Sequence, residues 1–281
     1  DNDNNTINIT GDITTTGAAA SAINNINGTN NTFNITGDIT TTGGGSSHAV
    51  WTNGGSGNNL NITGNITTSG LRGFGYHFQN TTGNTLNMSG DITTTGSDAP
   101  GLYNGVASNN TVVMTGNITT SGNSSHALIN IGNPITGANS NTITITGNLS
   151  TSGTGANAYS IFNGDSNTTT INGNLSTESG RGINIILADS NITTINGNIT
   201  TTGNTPGVSL LQSNNNTTTV NGNINTSGTD GNSEPIRLEN SDSNTFTLSG
   251  AVHSLGGDQA IAVNATSQNN TFTFKRGVSF I

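Results

Sequence analysis

The sequence predicts an all-β chain folded as a parallel β-helix of about ten coils, each of 24–31 residues and three short strands. Three observations predict it: a repeat of nearly constant length, an apolar/polar alternation of period two inside the repeat, and columns where one residue type returns in every unit. Aligning the glycine that precedes Asp/Asn-Ile places anchors at Gly11, Gly37, Gly64, Gly90, Gly116, Gly147, Gly173, Gly197, Gly222 and Gly250. Intervals of 24 to 31 residues between them belong to solenoid or array architectures. The repeats run through the whole chain, so residues 1–281 read as a single domain.

The first strand of each unit ends at the anchor. Two positions before it stand Ile9, Ile35, Ile62, Met88, Met114, Ile145, Ile171, Ile195, Val220 and Leu248. Polar residues alternate with them, as in a strand with one buried face. At the same parity, six positions before the anchor, every unit has asparagine: Asn5, Asn31, Asn58, Asn84, Asn110, Asn141, Asn167, Asn191, Asn216 and Asn244. Equivalent residues of successive coils stack about 4.8 Å apart, so these side chains are expected to form an inward amide ladder at a corner.

The second strand follows the anchor. Its inward positions are an Ile, Leu or Val two residues on, from Ile13 to Val252, and then Thr in nine units and Ser254 in the tenth, a small β-branched wall. Six positions after the anchor the residue is Gly17, Gly43, Gly70, Gly96, Gly122, Gly153, Gly203, Gly228 or Gly256, with Ser179 in the remaining unit. Glycine there is expected to supply a turn with positive φ. A variable loop and a third alternating segment complete the coil, as in Ala49-Val50-Trp51, Tyr159-Ser160-Ile161 and Val208-Ser209-Leu210. Only the inner parity must be apolar in so narrow a coil, which lets 28% hydrophobic residues build a continuous core.

Composition narrows the function. Half the chain is Thr, Asn or Gly, only 7% is charged, and cysteine is absent, which removes disulfides, thiolate metal sites and a cysteine nucleophile. A net charge of −9 with five scattered cations offers nothing to neutralise a phosphate backbone, so nucleic acid is not an expected partner. No run approaches the roughly 20 apolar residues of a membrane-spanning helix. Asp1 opens directly into repeat sequence, so a secretion signal is expected to have been removed or to lie outside this segment.

The units Asn-Thr-Phe-Asn-Ile-Thr-Gly-Asp-Ile-Thr-Thr-Thr-Gly, from Asn31 to Gly43, and Asn-Thr-Ile-Thr-Ile-Thr-Gly-Asn-Leu-Ser-Thr-Ser-Gly, from Asn141 to Gly153, resemble the passenger repeats of bacterial autotransporters, the type V secretion proteins. The resemblance covers nearly the whole chain. It implies a right-handed parallel β-helix exported through the outer membrane of a Gram-negative cell, displayed or shed, with its translocator barrel outside this segment. Lack of cysteine suits a chain threaded unfolded. The unit from Asn270 to Ile281 departs from the pattern: Arg276 stands where the others have the anchor glycine.

No catalytic, cofactor or metal site is expected. His48 and His126 share the context Ser-His-Ala, but they belong to the second and fifth coils, about 14 Å apart, and cannot share one metal ion. They read as solvent-facing loop residues. Asp12 with Asp38, and Asp165 with Asp189, occupy matching columns on adjacent coils and could hold Ca²⁺ or act as acid and base. Asn65 and Asn117 continue the first of these columns, which marks Asp there as a turn residue interchangeable with Asn. Arg72, Arg181 and Arg237 lie on separate coils and assemble no acid-base cluster, so a polysaccharide-degrading enzyme is an alternative resting on fold analogy. A second alternative is ice binding by outward rows of Thr14 and Thr16, Thr40 and Thr42, Thr93 and Thr95, a regularity lost later at Glu178, Asn225 and His253. Tyr76 and Tyr159 are expected inside, and Trp51 outside.

The reading that remains is a surface-displayed or secreted adhesive scaffold. Its expected partners are a host or neighbouring-cell surface, glycans or matrix, and its expected contact sites the variable segments Gly44–Ser47, Asn53–Gly57 and Ile131–Ser140. Asp1 and Asp3 at one end, with Lys275 and Arg276 at the other, also raise end-to-end self-association.

Overall fold

A computed structural model describes residues 3–133, 139–229, 231–256 and 259–275. The first coil comprises β1 (Thr6–Thr10), β2 (Ile13–Thr15) and β3 (Ile23–Ile26), and the second β4 (Thr32–Thr36), β5 (Ile39–Thr41) and β6 (Val50–Asn53). Every strand pairs in parallel with the equivalent strand of the next coil. The described residues thus form a β-solenoid of about ten turns with three sheets, of 11, 10 and 10 strands. Its first sheet stacks the strands that follow β1, its second those that follow β2 and its third those that follow β3. Register is exact along the anchor columns: Ile9 lies opposite Ile35, Met88 opposite Met114 and Ile118 opposite Leu149.

The inward parity builds one core along the axis. Ile35, Ile39, Leu60, Ile66, Leu102 and Tyr159 are all fully or almost fully buried. Tyr76 and Tyr159 point inward, where their hydroxyls meet Thr52 (3.2 Å) and Thr169 (2.7 Å). Burial holds the Tyr159 phenol up at about 12. The inward threonines fasten the next corner as well as lining the wall: Oγ1 of Thr41, Thr94 and Thr151 donates to the carbonyls of Ser47 (3.0 Å), Ala99 (2.6 Å) and Ala156 (2.6 Å).

Asn31 to Asn244 of the asparagine column are buried. Their main bond runs from backbone to side chain: the N–H of each donates to Oδ1 of the next, as in Asn58 to Asn84 (2.7 Å), Asn110 to Asn141 (2.9 Å) and Asn216 to Asn244 (2.8 Å). Asn5 donates to Asn31 in the same way (2.9 Å). Nδ2 is then directed at a neighbouring carbonyl or at the next Oδ1, so Asn141 Nδ2 reaches Ala107 O (2.7 Å) and Asn167 Oδ1 (3.1 Å). The column closes otherwise orphaned backbone donors at a corner that no strand serves.

The glycines six positions after the anchor do not have positive φ, which corrects the turn expected there. Glycine is required by proximity: a Cβ on Gly96, Gly122 or Gly153 would lie 1.9, 1.8 and 1.8 Å from the carbonyl oxygen of the equivalent glycine one coil earlier. The left-handed residues come two positions later, at Ala19, Gly45, Arg72, Asp98, Ser124 and Gly155. Two more such corners lie just before the ladder asparagine (Asn30, Asn109, Ser166) and just after the third strand (Asn27, Asn80, Val106, Asn163, Leu187).

A β-branched residue at φ 51°, as at Val106, is strained, and its side chain is exposed, so nothing in the core depends on it. Val106→Asn, the residue at the equivalent positions 80 and 163, is expected to raise stability by about 1 kcal/mol. Urea titration of the two proteins would test this, and an unchanged or lower midpoint would argue against strain at this corner.

The variable segments Gly44–Ser47 and Asn53–Gly57 do not project from the solenoid. Gly44 O accepts from Ala19 N (2.9 Å), Gly54 N donates to Gln79 O (2.9 Å), and Ser56 bridges Thr29 and Thr82 on the neighbouring coils. Residues 134–138 of the third segment lie outside the described residues, as do Asp1 and Arg276.

Candidate functional site

The outer surfaces of the first two sheets are nearly uniform. On the first, Asn8, Asn34, Asn61 and Asn87 form an exposed amide ladder with bonds of 2.8, 2.8 and 2.9 Å. On the second, Thr14, Thr40, Thr67, Thr93 and Thr119 stand in register, followed by Ser150 and Ser176. Thr16, Thr42 and Thr95 are exposed one step beyond the strand ends, and Thr14 is exposed within its strand, while Thr40 and Thr93 are half-buried.

The aspartate pairs serve as turns. Asp12 Oδ1 accepts the N–H of Asp38 (2.8 Å), Asp38 that of Asn65 (2.7 Å) and Asp91 that of Asn117 (2.7 Å). Asp165 accepts from Asp189 (2.8 Å), and Asp189 from Asn214 (2.6 Å). One oxygen of each carboxylate is held by backbone, a role an asparagine oxygen fills equally well.

The third sheet is different. Strand register stacks Asn24, Trp51, His77, Tyr103 and Ile129 in one outward column. Beside it, at the preceding corner, run His48, Phe74, Pro100 and His126. The two columns merge into an aromatic strip over coils two to five. Trp51 stacks on His77 (6.0 Å between centroids, 15°), Phe74 stacks on Tyr103 (4.9 Å, 26°), and His77 meets Tyr103 edge-on (4.7 Å, 82°). Trp51 does face outward, half-buried by these neighbours.

The histidines overturn the expectation of solvent-facing loop residues. His48 and His77 are buried, 4% and 6% exposed, and it is these two, on adjacent coils, that meet. His48 Nδ1 accepts the N–H of Phe74 (3.2 Å), so its proton sits on Nε2, which lies 3.4 Å from His77 Nδ1. That fixes both tautomers and leaves His77 Nε2–H as a buried donor without a partner among the described residues, as is the Trp51 indole N–H. His126 Nδ1 likewise accepts from Asn157 N (2.9 Å), which directs its Nε2–H outward. The shared Ser-His-Ala context is a corner device: the serine oxygen accepts from the previous coil, as Ser125 does from Ala99 N (2.9 Å), and the histidine from the next.

Burial lowers His48 and His126 from 6.5 to about 4, and burial followed by the proximity of His48 lowers His77 to about 3. The folded chain therefore takes up these protons less readily than the unfolded chain. Stability is complete above pH 6.5 and is lost as pH falls from there toward each lowered value. His126→Asn keeps an acceptor for Asn157 N and removes one such group. It should shrink the stability difference between pH 7 and pH 5 by about 2 kcal/mol. Equal pH dependence in variant and parent would show that His126 is not held neutral.

Over coils three to five the strip opens into a groove of about 310 Å³ lined by Arg72, Phe74, Asp98, Pro100, Tyr103, Ser124, His126 and Ile129. Toward the other end of the same sheet the surface becomes charged. Arg237 bonds Glu239 and Asn232, and Arg181 is lowered by burial and by the nearby Arg237. In the sequence the arginines stand on separate coils, and the Arg237–Glu239 pair shows only as an i, i+2 spacing on one strand face. The alignment of Trp51 with His77 and Tyr103 is hidden in the sequence because the loop before Trp51 is one residue longer than those before the other two. Comparison with family models, curated proteins and solved structures finds no match to this chain.

Proposed function

We propose that this β-solenoid is a non-catalytic adhesive scaffold, displayed on or shed from a Gram-negative cell like the autotransporter passengers its repeats resemble, and that it contacts a host or neighbouring-cell surface through the outer face of the third sheet. The observation carrying this reading is the segregation of chemistry. Two faces repeat Asn and Thr, while the third gathers the half-buried rings of Trp51, Phe74 and Tyr103, the half-buried imidazole of His126 and guanidinium groups at positions set by rigid strands. Tyr103→Ala removes the ring at the centre of the strip and is expected to lower adhesion of chain-coated beads to cells by roughly tenfold, a common loss for a central aromatic contact. Circular dichroism should be unchanged. Undiminished adhesion, or none by the parent chain, would sink the reading.

The in-register threonines from Thr14 to Thr119 favour ice binding as a second reading. Thermal hysteresis of a dilute solution would support it. Release of sugar ends from a polysaccharide would favour an enzyme.

A further inference from the structure

We infer that the groove over Phe74 and Tyr103 is a binding site for a neutral saccharide, a terminal sugar or short run of rings, a proposal that rests on the adhesive reading and names the chemistry it recognises. The floor supplies the first requirement. Phe74 and Tyr103, half-buried and packed against each other, line the groove with aromatic carbon, an apolar surface for the C–H face of a pyranose. Volume supplies the second: about 310 Å³ lies near the lower end of the roughly 300–1,000 Å³ usual for small-molecule sites.

The rim supplies the third. Arg72, Asp98 and Ser124 are the left-handed corner residues of three successive coils, with φ of 55°, 50° and 54°. Their N–H groups are anchored to Ser97 O (2.9 Å), Asn123 O (2.8 Å) and Thr154 O (2.9 Å), so the row is fixed before any ligand arrives. Arg72 and Asp98 form no ion pair among the described residues. They present one cation and one anion, five N–H donors and a pair of acceptor oxygens, with no net charge. His126 adds an outward Nε2–H whose tautomer is set by its bond from Asn157, and Tyr103 adds a hydroxyl. A platform on one side with alternating donors and acceptors along its edge matches a ring whose faces are apolar and whose rim carries hydroxyls. The balanced charge points to a neutral sugar over a sialylated or uronic one. An extended peptide would add to a free strand edge, and the strands under this groove are paired on both sides.

The test is a panel of neutral, sialylated and uronate oligosaccharides on an array, with calorimetry on the best binder, using the parent chain, Tyr103→Ala, Tyr103→Phe and Asp98→Asn. Binding of neutral sugars, lost at least tenfold in Tyr103→Ala, largely kept in Tyr103→Phe and weakened in Asp98→Asn, is the expected result. Binding confined to acidic sugars, binding unaffected by Tyr103→Ala, or no binding at millimolar sugar would overturn the proposal. Failure here separates from failure of the adhesive reading. Adhesion that needs Tyr103 without any sugar binding would mean a protein partner. Sugar binding without adhesion would keep the site and remove the adhesive role.

Discussion

Gly153→Ala is expected to destabilise the solenoid by about 4 kcal/mol or more, whereas Gly155→Ala, two residues away, should cost only about 1 kcal/mol. A Cβ at 153 would lie 1.8 Å from Gly122 O and 2.4 Å from its carbonyl carbon, far inside contact distance. The obstacle is backbone, locked by bonds to the coils on either side, so neither rotamer nor local shift can relieve it. The coils must separate, and with them the core contacts of both. At Gly155 the reason for glycine is conformational: φ is +70° and an added Cβ meets nothing within 4 Å. Amide hydrogen exchange resolved by coil would localise the damage, since each repeat of a solenoid contacts only its neighbours. Equal costs at the two positions would mean that close stacking does not explain the glycine column.

The second large effect separates two asparagine ladders. In the inner column both ends of the amide are engaged: Asn141 Oδ1 accepts from Asn110 N, and Nδ2 donates to Ala107 O and Asn167 Oδ1, all out of solvent. In the outer turn column the acceptor carries the link, as where Asn198 Oδ1 takes the N–H of Asn223 (2.8 Å) at the surface, and Asn117 adds an exposed Nδ2 bond to Asp91 Oδ1 (3.3 Å). Asn141→Asp sets a buried carboxylate oxygen against two acceptors and should cost about 4 kcal/mol at neutral pH. The deficit relative to the parent should shrink at low pH, where protonation restores a donor. Asn198→Asp, between Asn174 and Asn223, should fall within about 0.5 kcal/mol of the parent. Denaturant midpoints of the two variants at pH 7 and pH 4.5 would test both. A harmless Asn141→Asp would remove the ladder from the account of what holds this corner.

That contrast also explains what the sequence could reveal. Asparagine recurs without exception where donor and acceptor are both needed, so the inner column was legible, while the turn column mixes Asp and Asn because one oxygen suffices. The left-handed corner was hidden for the opposite reason. Ala19, Gly45, Arg72, Asp98, Ser124 and Gly155 share a backbone conformation and no chemistry, and the eye falls on the glycine two positions earlier. The aromatic strip was hidden by register. Trp51 lies 14 residues after its anchor and His77 13 after its own, so the two align only once strand pairing absorbs the extra loop residue. His48 and His126 looked like a pair because their neighbours match. The pair that touches, His48 and His77, comes from different columns and leaves no motif.

The two asparagine columns also run in opposite senses. In the inner one the N–H of each coil points to the side chain of the coil after it, from Asn31 to Asn58. In the outer one it points to the coil before, from Asn65 to Asp38. Each column alone would behave as a line of aligned dipoles, equivalent to a partial charge of opposite sign at each end, as in an α-helix. Laid antiparallel a few residues apart, they subtract. The solenoid therefore gathers little net end charge from these columns, whatever the number of coils.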